Sequence, residues 1–227
     1  MVIKKGDFIE LDYVGRLKEE GKIFDLTSEA VARKEGLYHD HQQYGPQIIC
    51  VGEGGIVKGL DAFLIGKQTG THTLSLTPDE AFGKKNAKLI KIIPISAFKK
   101  QQMRPFPGLQ VNIDGFMGII KTVSGGRVIV DFNHPIAGRD VVYEVTVKRV
   151  VTEAKEKIKA YLKMNVFGRD IPFTFDKGAL AIQLPLPEEM RKPIVDKIKD
   201  AIPDVKDVAF EEIKEKQGEE KKATTQP

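Results

Sequence analysis

Four kinds of residue in this 227-residue chain could do chemistry, and their surroundings sort them. Asp25 lies in GKIFDLT between Phe24 and Leu26, where burying a carboxylate without partners is costly. From the residues alone it is either a pocket carboxylate or a turn acid facing water. Gly52, Gly54, Gly55 and Gly59 suggest a phosphate cradle, but Lys58 is not followed by Ser or Thr and the GxGxxG spacing fails. That run reads as a turn before a helix. His39 and His41 flank Asp40, yet two imidazoles with no nearby cysteine or third histidine make an open, weak metal site, and surface histidines are the simpler reading. Cys50 sits in an apolar strand, where buried thiols are usually inert, and the sequence has no GxSxG elbow. A nucleophilic hydrolase is not indicated.

The elements that must position these residues follow from periodicity. In DFIELDYV, Ile9, Leu11 and Tyr13 fall on one side of a strand and Glu10 and Asp12 on the other. GKIFDLT predicts a second strand, TSEAVARKEG a short capped helix or a bulge ending at Gly36, and the stretch through Ile48, Ile49 and Val51 a third strand. IVKGLDAFLIG places Ile56, Leu60, Phe63 and Leu64 on one helical face. THTLSLT turns Leu74 and Leu76 inward before Pro78 ends it. DVVYEVTVKRV alternates strictly, with Val141, Tyr143, Val145 and Val147 together. One short amphipathic helix among antiparallel strands predicts an α+β fold, a curved antiparallel sheet wrapped around the helix.

The closing strand is displaced from the rest by about fifty residues with a periodicity of their own. They carry apolar strands, a helix near ISAFKKQQ and a hairpin signal at Ser124-Gly125-Gly126, which predicts an inserted, mainly-β domain. From Thr152 a helix, two strands joined at Asp176-Lys177-Gly178 and another helix predict a C-terminal α/β domain with a small antiparallel sheet, completed by VKDVAFEEI. The expected division is 1–84 with 133–151, then 85–132, then 152–216, then a flexible tail over 217–227.

Composition narrows the setting. The chain is 41% hydrophobic and 30% charged with a net charge of +4, far from the concentrated positive field of a nucleic-acid reader, so no specific nucleic-acid partner is expected. Its single cysteine permits no intramolecular disulfide, which points to the cytoplasm. No secretory leader and no run of eighteen apolar residues stands in the sequence, so neither export nor membrane spanning is expected.

Several segments together resemble the FKBP-type peptidyl-prolyl cis/trans isomerases, in particular the long archaeal, SlyD-like members. These are LDYVGRL, GKIFDLT, VGEGGIVKGLDAFLIGKQTG, TPDEAFG and NHPIAGRDVVYEVTV, spread in the family's order over residues 5–150. The resemblance implies the curved sheet and helix, an insert-in-flap domain after Gly83, and catalysis of X–Pro rotation with no metal and no cofactor. It implies an aromatic-lined hollow in which Tyr13 and Phe24 form walls and Asp25 is the single carboxylate. Ile56 and Val57 would supply the lip, the Val57 N–H binding a substrate carbonyl, and Leu60 the floor. Phe82 would close the flap side, Ile136 would cap the far rim, and Tyr143 would complete the base. From pattern alone, Tyr13, Leu60 and Tyr143 are equally explicable as core. Two positions depart from the family: many members carry tyrosine where this chain has Phe82, which cannot donate a hydrogen bond, and several carry tryptophan at Leu60.

The reaction implied needs little apparatus. Resonance keeps the X–Pro bond planar, and uncatalysed rotation takes roughly 10–100 s. A dry apolar cup favours the twisted, less dipolar imide over either planar form, which is catalysis by differential binding. The insert carries Ile92, Ile93, Ile95, Phe98, Met103, Phe106, Phe116 and Met117, more apolar surface than a small domain can hide. Resemblance to the insert-in-flap domain implies a chaperone surface there, formed by Ile93, Phe98, Met103, Phe106, Phe116 and Met117, although some of these must also form the insert's core. The implied partners are unfolded or nascent proline-containing polypeptides, and a second copy of the chain through the C-terminal domain.

Overall fold

The computed structural model describes residues 1–165 and 169–211. The expected flexible tail and the end of the C-terminal segment, residues 212–227, lie outside the described residues.

Twelve strands in the described residues form three sheets. The first is built from β1 (Phe8–Leu17), β2 (Ile23–Leu26), β3 (Gln47–Cys50), β4 (Gly70–Leu76) and β9 (Val141–Val151), and is antiparallel throughout. Its order is β2-β1-β9-β4, with β3 on the other half of the β1 edge that also carries β2. The closing strand β9 therefore sits at the centre, paired along its length with β1 from Phe8↔Val151 to Leu17↔Val141. Alternation holds as read: Ile9, Leu11, Val141, Tyr143, Val145 and Val147 all bury in one core. That core is closed by the helix α2 (Lys58–Leu64), which contributes Leu60 and Leu64. Ile56 precedes the helix rather than lying on it, because the chain stays extended until Val57, the residue before the first helical turn.

A bulge breaks the register between Glu10 and Leu11, where Lys148 is the extra residue of β9. An extra residue flips side chains to the opposite face. Beyond it Val150 packs on the first core and Val151 on a second one behind the sheet.

The insert forms its own four-stranded sheet, β5 (Ile90–Pro94), β6 (Gln110–Ile113), β7 (Phe116–Ser124) and β8 (Arg127–Asp131), in the order β5-β8-β7-β6. The helix α3 (Ile95–Lys100) packs on it through Phe98, beside Val111, Ile120, Val128 and Val130. Gly125 and Gly126 both take positive φ in the two-residue turn between Ser124 and Arg127, the hairpin geometry their sequence predicts. The insert's neck is narrow. The Gly138 N–H donates to the Gly83 carbonyl at 2.8 Å, and Asn86 and Asn133 exchange hydrogen bonds of 2.8 and 3.1 Å.

The C-terminal segment contains α4 (Ala154–Asn165), β10 (Phe173–Asp176), β11 (Ala179–Gln183), α5 (Glu188–Ala201) and β12 (Asp207–Glu211). Its sheet is mixed rather than antiparallel: β10 and β11 form the expected hairpin, but β11 and β12 run parallel. The cause is α5, a crossover helix that returns the chain to the same end before β12 begins. The remaining helix, α1 (Glu29–Lys34), is capped as expected, Ser28 accepting from the Val31 N–H. Among the described residues this C-terminal segment shares its core with the first sheet. Phe8, Cys50 and Val151 of the first sheet bury together with Ile158, Leu162, Leu180, Ile182 and Ile198.

Candidate active site

Three aromatic rings meet where β1, β2 and β9 run side by side. Register places Gly15 opposite both Asp25 and Tyr143, so β1 brings Phe24 and Tyr143 to the same point from either side. Tyr143 is met edge-on by Tyr13 at 5.9 Å between centroids and by Phe24 at 5.8 Å, and Phe82 meets Phe24 at 5.5 Å with planes perpendicular. Such edge-to-face pairs contribute about 0.5–1.5 kcal/mol each beyond burial. Tyr13, Phe24, Ile56, Val57, Phe82 and Ile136 are all half-buried against the core that contains Leu60 and Tyr143. Residues from β1, β2, the loop before α2, the turn after β4 and the turn before β9 thus share one core and retain partial exposure.

Gly15 makes this convergence possible. A Cβ there would lie 2.8 Å from Phe24 Cζ and 2.9 Å from Tyr143 Cε1, so both rings rest directly on the strand backbone. The loop before α2 is held by Asp61, whose carboxylate is buried and accepts the Gly52 N–H at 2.8 Å and the Gly54 N–H at 3.1 Å. Those amides are turned onto an internal acid and cannot cradle a phosphate. The Val57 N–H donates to no group among the described residues. At Gly59 the helix packs so closely that a Cβ would stand 2.9 Å from the Glu80 carbonyl. The 3-10 turn Pro78–Glu80 that leads to Phe82 is closed by Glu80, which accepts from both the Thr77 N–H and hydroxyl.

The flap side holds a partner that sequence reading missed. His134 stacks on Phe82 at 4.6 Å and 13°, and its Nδ1 accepts the Ile136 N–H at 3.4 Å. His134, Gly15 and Asp61 all stood inside segments quoted for the family resemblance. No periodicity marked them, because their work is local contact rather than burial on a face. Asp25 is exposed as a residue, but its carboxyl faces the Tyr13 hydroxyl. Loss of water raises its pKa, opposed by the hydrogen bonds from Tyr13 and the Leu26 N–H. Burial likewise raises both phenols, Tyr13 and Tyr143, and the Asp25 charge adds to each.

The other candidates disperse. His39 and His41 are exposed. Cys50 is buried, and loss of water pushes its thiol up to about 11, so it is a poor nucleophile. In the insert, Phe98 is only 4% exposed and is a core residue, not a surface one, because it anchors α3 to the sheet. Ile93 and Met103 are half-buried against that core, while Phe106, Phe116 and Met117 are exposed. A groove of about 600 Å³ lies apart from the aromatic cluster, between Tyr44–Ile49 and α4, where Gly55 meets Met164. None of the rings of that cluster lines it, so its size reflects how α4 sits beside the sheet rather than chemistry.

An antiparallel sheet wrapped on a short helix, with four aromatic rings clustered beside one partly desolvated carboxylate, is the arrangement the family resemblance leads one to expect. Comparison with known proteins agrees. A family model described as FKBP-type peptidyl-prolyl cis-trans isomerase matches residues 2–99, and one described as FKBP26, IF domain matches residues 91–136. The short-type peptidyl-prolyl cis-trans isomerase of Methanocaldococcus jannaschii is 31% identical over 150 residues, 66% of this chain and 94% of that protein. A probable FKBP-type 16 kDa peptidyl-prolyl cis-trans isomerase of Pseudomonas fluorescens is 34% identical over 108 residues, 45% of this chain and 71% of that protein. The FKBP-type 16 kDa enzyme of Escherichia coli is 30% identical over 134 residues, 57% of this chain and 85% of that protein. The chain belongs to the FKBP-type peptidyl-prolyl cis-trans isomerase family and is a peptidyl-prolyl cis-trans isomerase.

Proposed function

We propose that the hollow around Tyr143 is the seat of X–Pro rotation and that the insert presents unfolded or nascent polypeptides to it. The observation that carries the site is the meeting of Tyr13, Phe24, Phe82 and Tyr143 from four separate segments, all edge-on and, Tyr143 apart, half-exposed. Tyr13 and Phe24 grip the proline ring, Leu60 and Tyr143 form its floor, and Ile56, Phe82 and Ile136 exclude water from the rim. The unengaged Val57 N–H holds the neighbouring substrate carbonyl. Rotation weakens the amide dipole, so a water-poor apolar seat stabilises the twisted form relative to both planar ones. Asp25 orients Tyr13 by accepting its hydroxyl proton in a hydrogen bond. Isomerisation of an Ala-Pro peptide tests this. Tyr13→Ala and Asp25→Ala are each expected to lower kcat/KM at least about tenfold, a loss of about 1.4 kcal/mol of transition-state binding, with unchanged circular dichroism. Full activity in both variants would remove the hollow from the reaction.

The chaperone role is supported by exposed apolar side chains on the insert, with Ile92, Phe106, Phe116 and Met117 each more than half exposed. Phe116 and Met117 follow the Asp114-Gly115 turn and so stand at a hairpin tip. The division into 1–84 with 133–151, 85–132 and 152–216 is part of the same proposal, supported by the separate sheets and by the narrow neck at Gly83 and Gly138. Homodimerisation through the C-terminal segment is supported by the outer edges of β10 and β12, which pair with no strand among the described residues; a monomer in sedimentation equilibrium would dismiss it. A cytoplasmic site of action fits a chain whose one cysteine is buried and in which no described helix is long and apolar enough to cross a membrane. Cell fractionation decides that point.

A further inference from the structure

We infer that the Tyr143 hydroxyl is a hydrogen-bond donor to the bound X–Pro segment, its acceptor being supplied by the substrate rather than by the protein. Among the described residues it is the only buried side-chain polar atom with no hydrogen-bond partner. Tyr143 is 1% exposed and its ring is packed on three sides, by the backbone of Gly15 and by the rings of Tyr13 and Phe24. Leaving a buried hydroxyl unpaired is unfavourable, and native proteins hold few such groups. A phenylalanine would fill the same space without that penalty, so the hydroxyl calls for a use.

The surroundings say what the use is. Burial raises the pKa of the Tyr143 phenol and the nearby charges of Asp25 and Tyr13 add to that, yet neither group hydrogen-bonds its hydroxyl. Asp25 is already engaged by the Tyr13 hydroxyl and the Leu26 N–H. The facing wall, Phe82, has no donor to offer. Tyr13 and Phe24 are half-buried and touch Tyr143 only edge-on, so in this proposal they part slightly around the prolyl residue they grip and open the hydroxyl to it. A donor that is unpaired in the free enzyme and paired in the complex adds to binding without competition from water.

This inference rests on the hollow being the active site, and the test separates the two. Wild type, Tyr143→Phe and Tyr13→Ala are compared on an Ala-Pro peptide, with thermal unfolding of each. Tyr143→Phe is expected to raise Tm by about 2–4 °C and to lower kcat/KM at least about tenfold. A rise in KM alone identifies a ground-state carbonyl as the acceptor, whereas a fall in kcat alone identifies a group exposed by twisting, the imide nitrogen. If Tyr13→Ala loses activity but Tyr143→Phe keeps it, the hollow stands and the hydroxyl's role is overturned; if neither loses activity, the hollow itself is wrong. A lowered Tm or a misfolded Tyr143→Phe means a structural partner, such as a fixed water to Asp25, and also overturns the inference. The wild type gives an independent reading through the 13Cζ resonances of its five tyrosines. Titration with peptide is expected to shift Tyr143, and a spectrum in which only Tyr13 moves would contradict the donor role.

Discussion

Asp25 sits where its charge is least welcome, beside rings rather than cations, and its raised pKa is a statement about stability. The ionised form is disfavoured in the folded chain, so the penalty is complete above the folded pKa and disappears below the unfolded value near 4. Asp25→Asn keeps an acceptor for Tyr13 and removes the charge. Its Tm is expected to exceed that of wild type at pH 7 and to converge with it as pH falls below about 4; a constant offset across that range would show that the gain is not electrostatic. At this scale the large side chains were legible. Tyr13 and Tyr143 alternate with polar neighbours, and Phe24 and Asp25 share one short strand. Phe98 misled, because an apolar residue on a six-residue helix carries no sign of which way that helix turns. His134 and Gly15 were silent for a different reason: a stacked ring and a missing Cβ act through one contact each.

At the scale of elements, the loop from Gly52 to Val57 owes its shape to a buried acid on the helix that follows it. Asp61 is 6% exposed and ties two loop amides to the first turns of α2. Asp61→Ala is expected to lower stability by about 1–3 kcal/mol, since two partly exposed loop amides lose a charged acceptor. It should also raise KM for the peptide by loosening Ile56 and Val57. Equilibrium unfolding and steady-state kinetics check both, and a destabilised variant with wild-type KM would separate the loop from binding. Strand alternation, the two-residue turns and the capped α1 were readable because each is a local rule. The bulge at Lys148 was not, since it depends on which strand lies opposite. The parallel pairing of β11 and β12 escaped for the same reason: a crossover helix is visible in sequence, but the sheet it returns to is not.

For the whole molecule, the insert and the C-terminal segment are attached in opposite ways. The insert has its own core and joins the first sheet through a neck, whereas the C-terminal helices bury Phe8, Cys50 and Val151 of that sheet as part of theirs. Removing residues 86–131 is therefore expected to leave peptide isomerisation within about twofold while slowing catalysed refolding of a proline-limited protein at least about tenfold, by analogy with the loss of one binding site. Ending the chain at Val151 should instead lower Tm or cause aggregation, because three buried side chains of the catalytic sheet face water. Refolding assays and thermal melts of the two shortened chains distinguish these outcomes, and equal damage from both would refute the contrast. Sequence gave the insert away through its separate periodicity, but nothing in it marked the shared core, since Phe8 and Val151 look like ordinary strand residues.

The neck has one more effect. Because Asn86 and Asn133 exchange hydrogen bonds just inside the Gly83–Gly138 pair, the insert between them hangs from a closed junction. Chain statistics then make length nearly irrelevant: doubling a loop adds only about 0.6 kcal/mol of closure entropy. The first sheet can carry a short flap or a folded insert at almost the same energetic expense, so what fills this position is free to change while the aromatic cluster stays as it is.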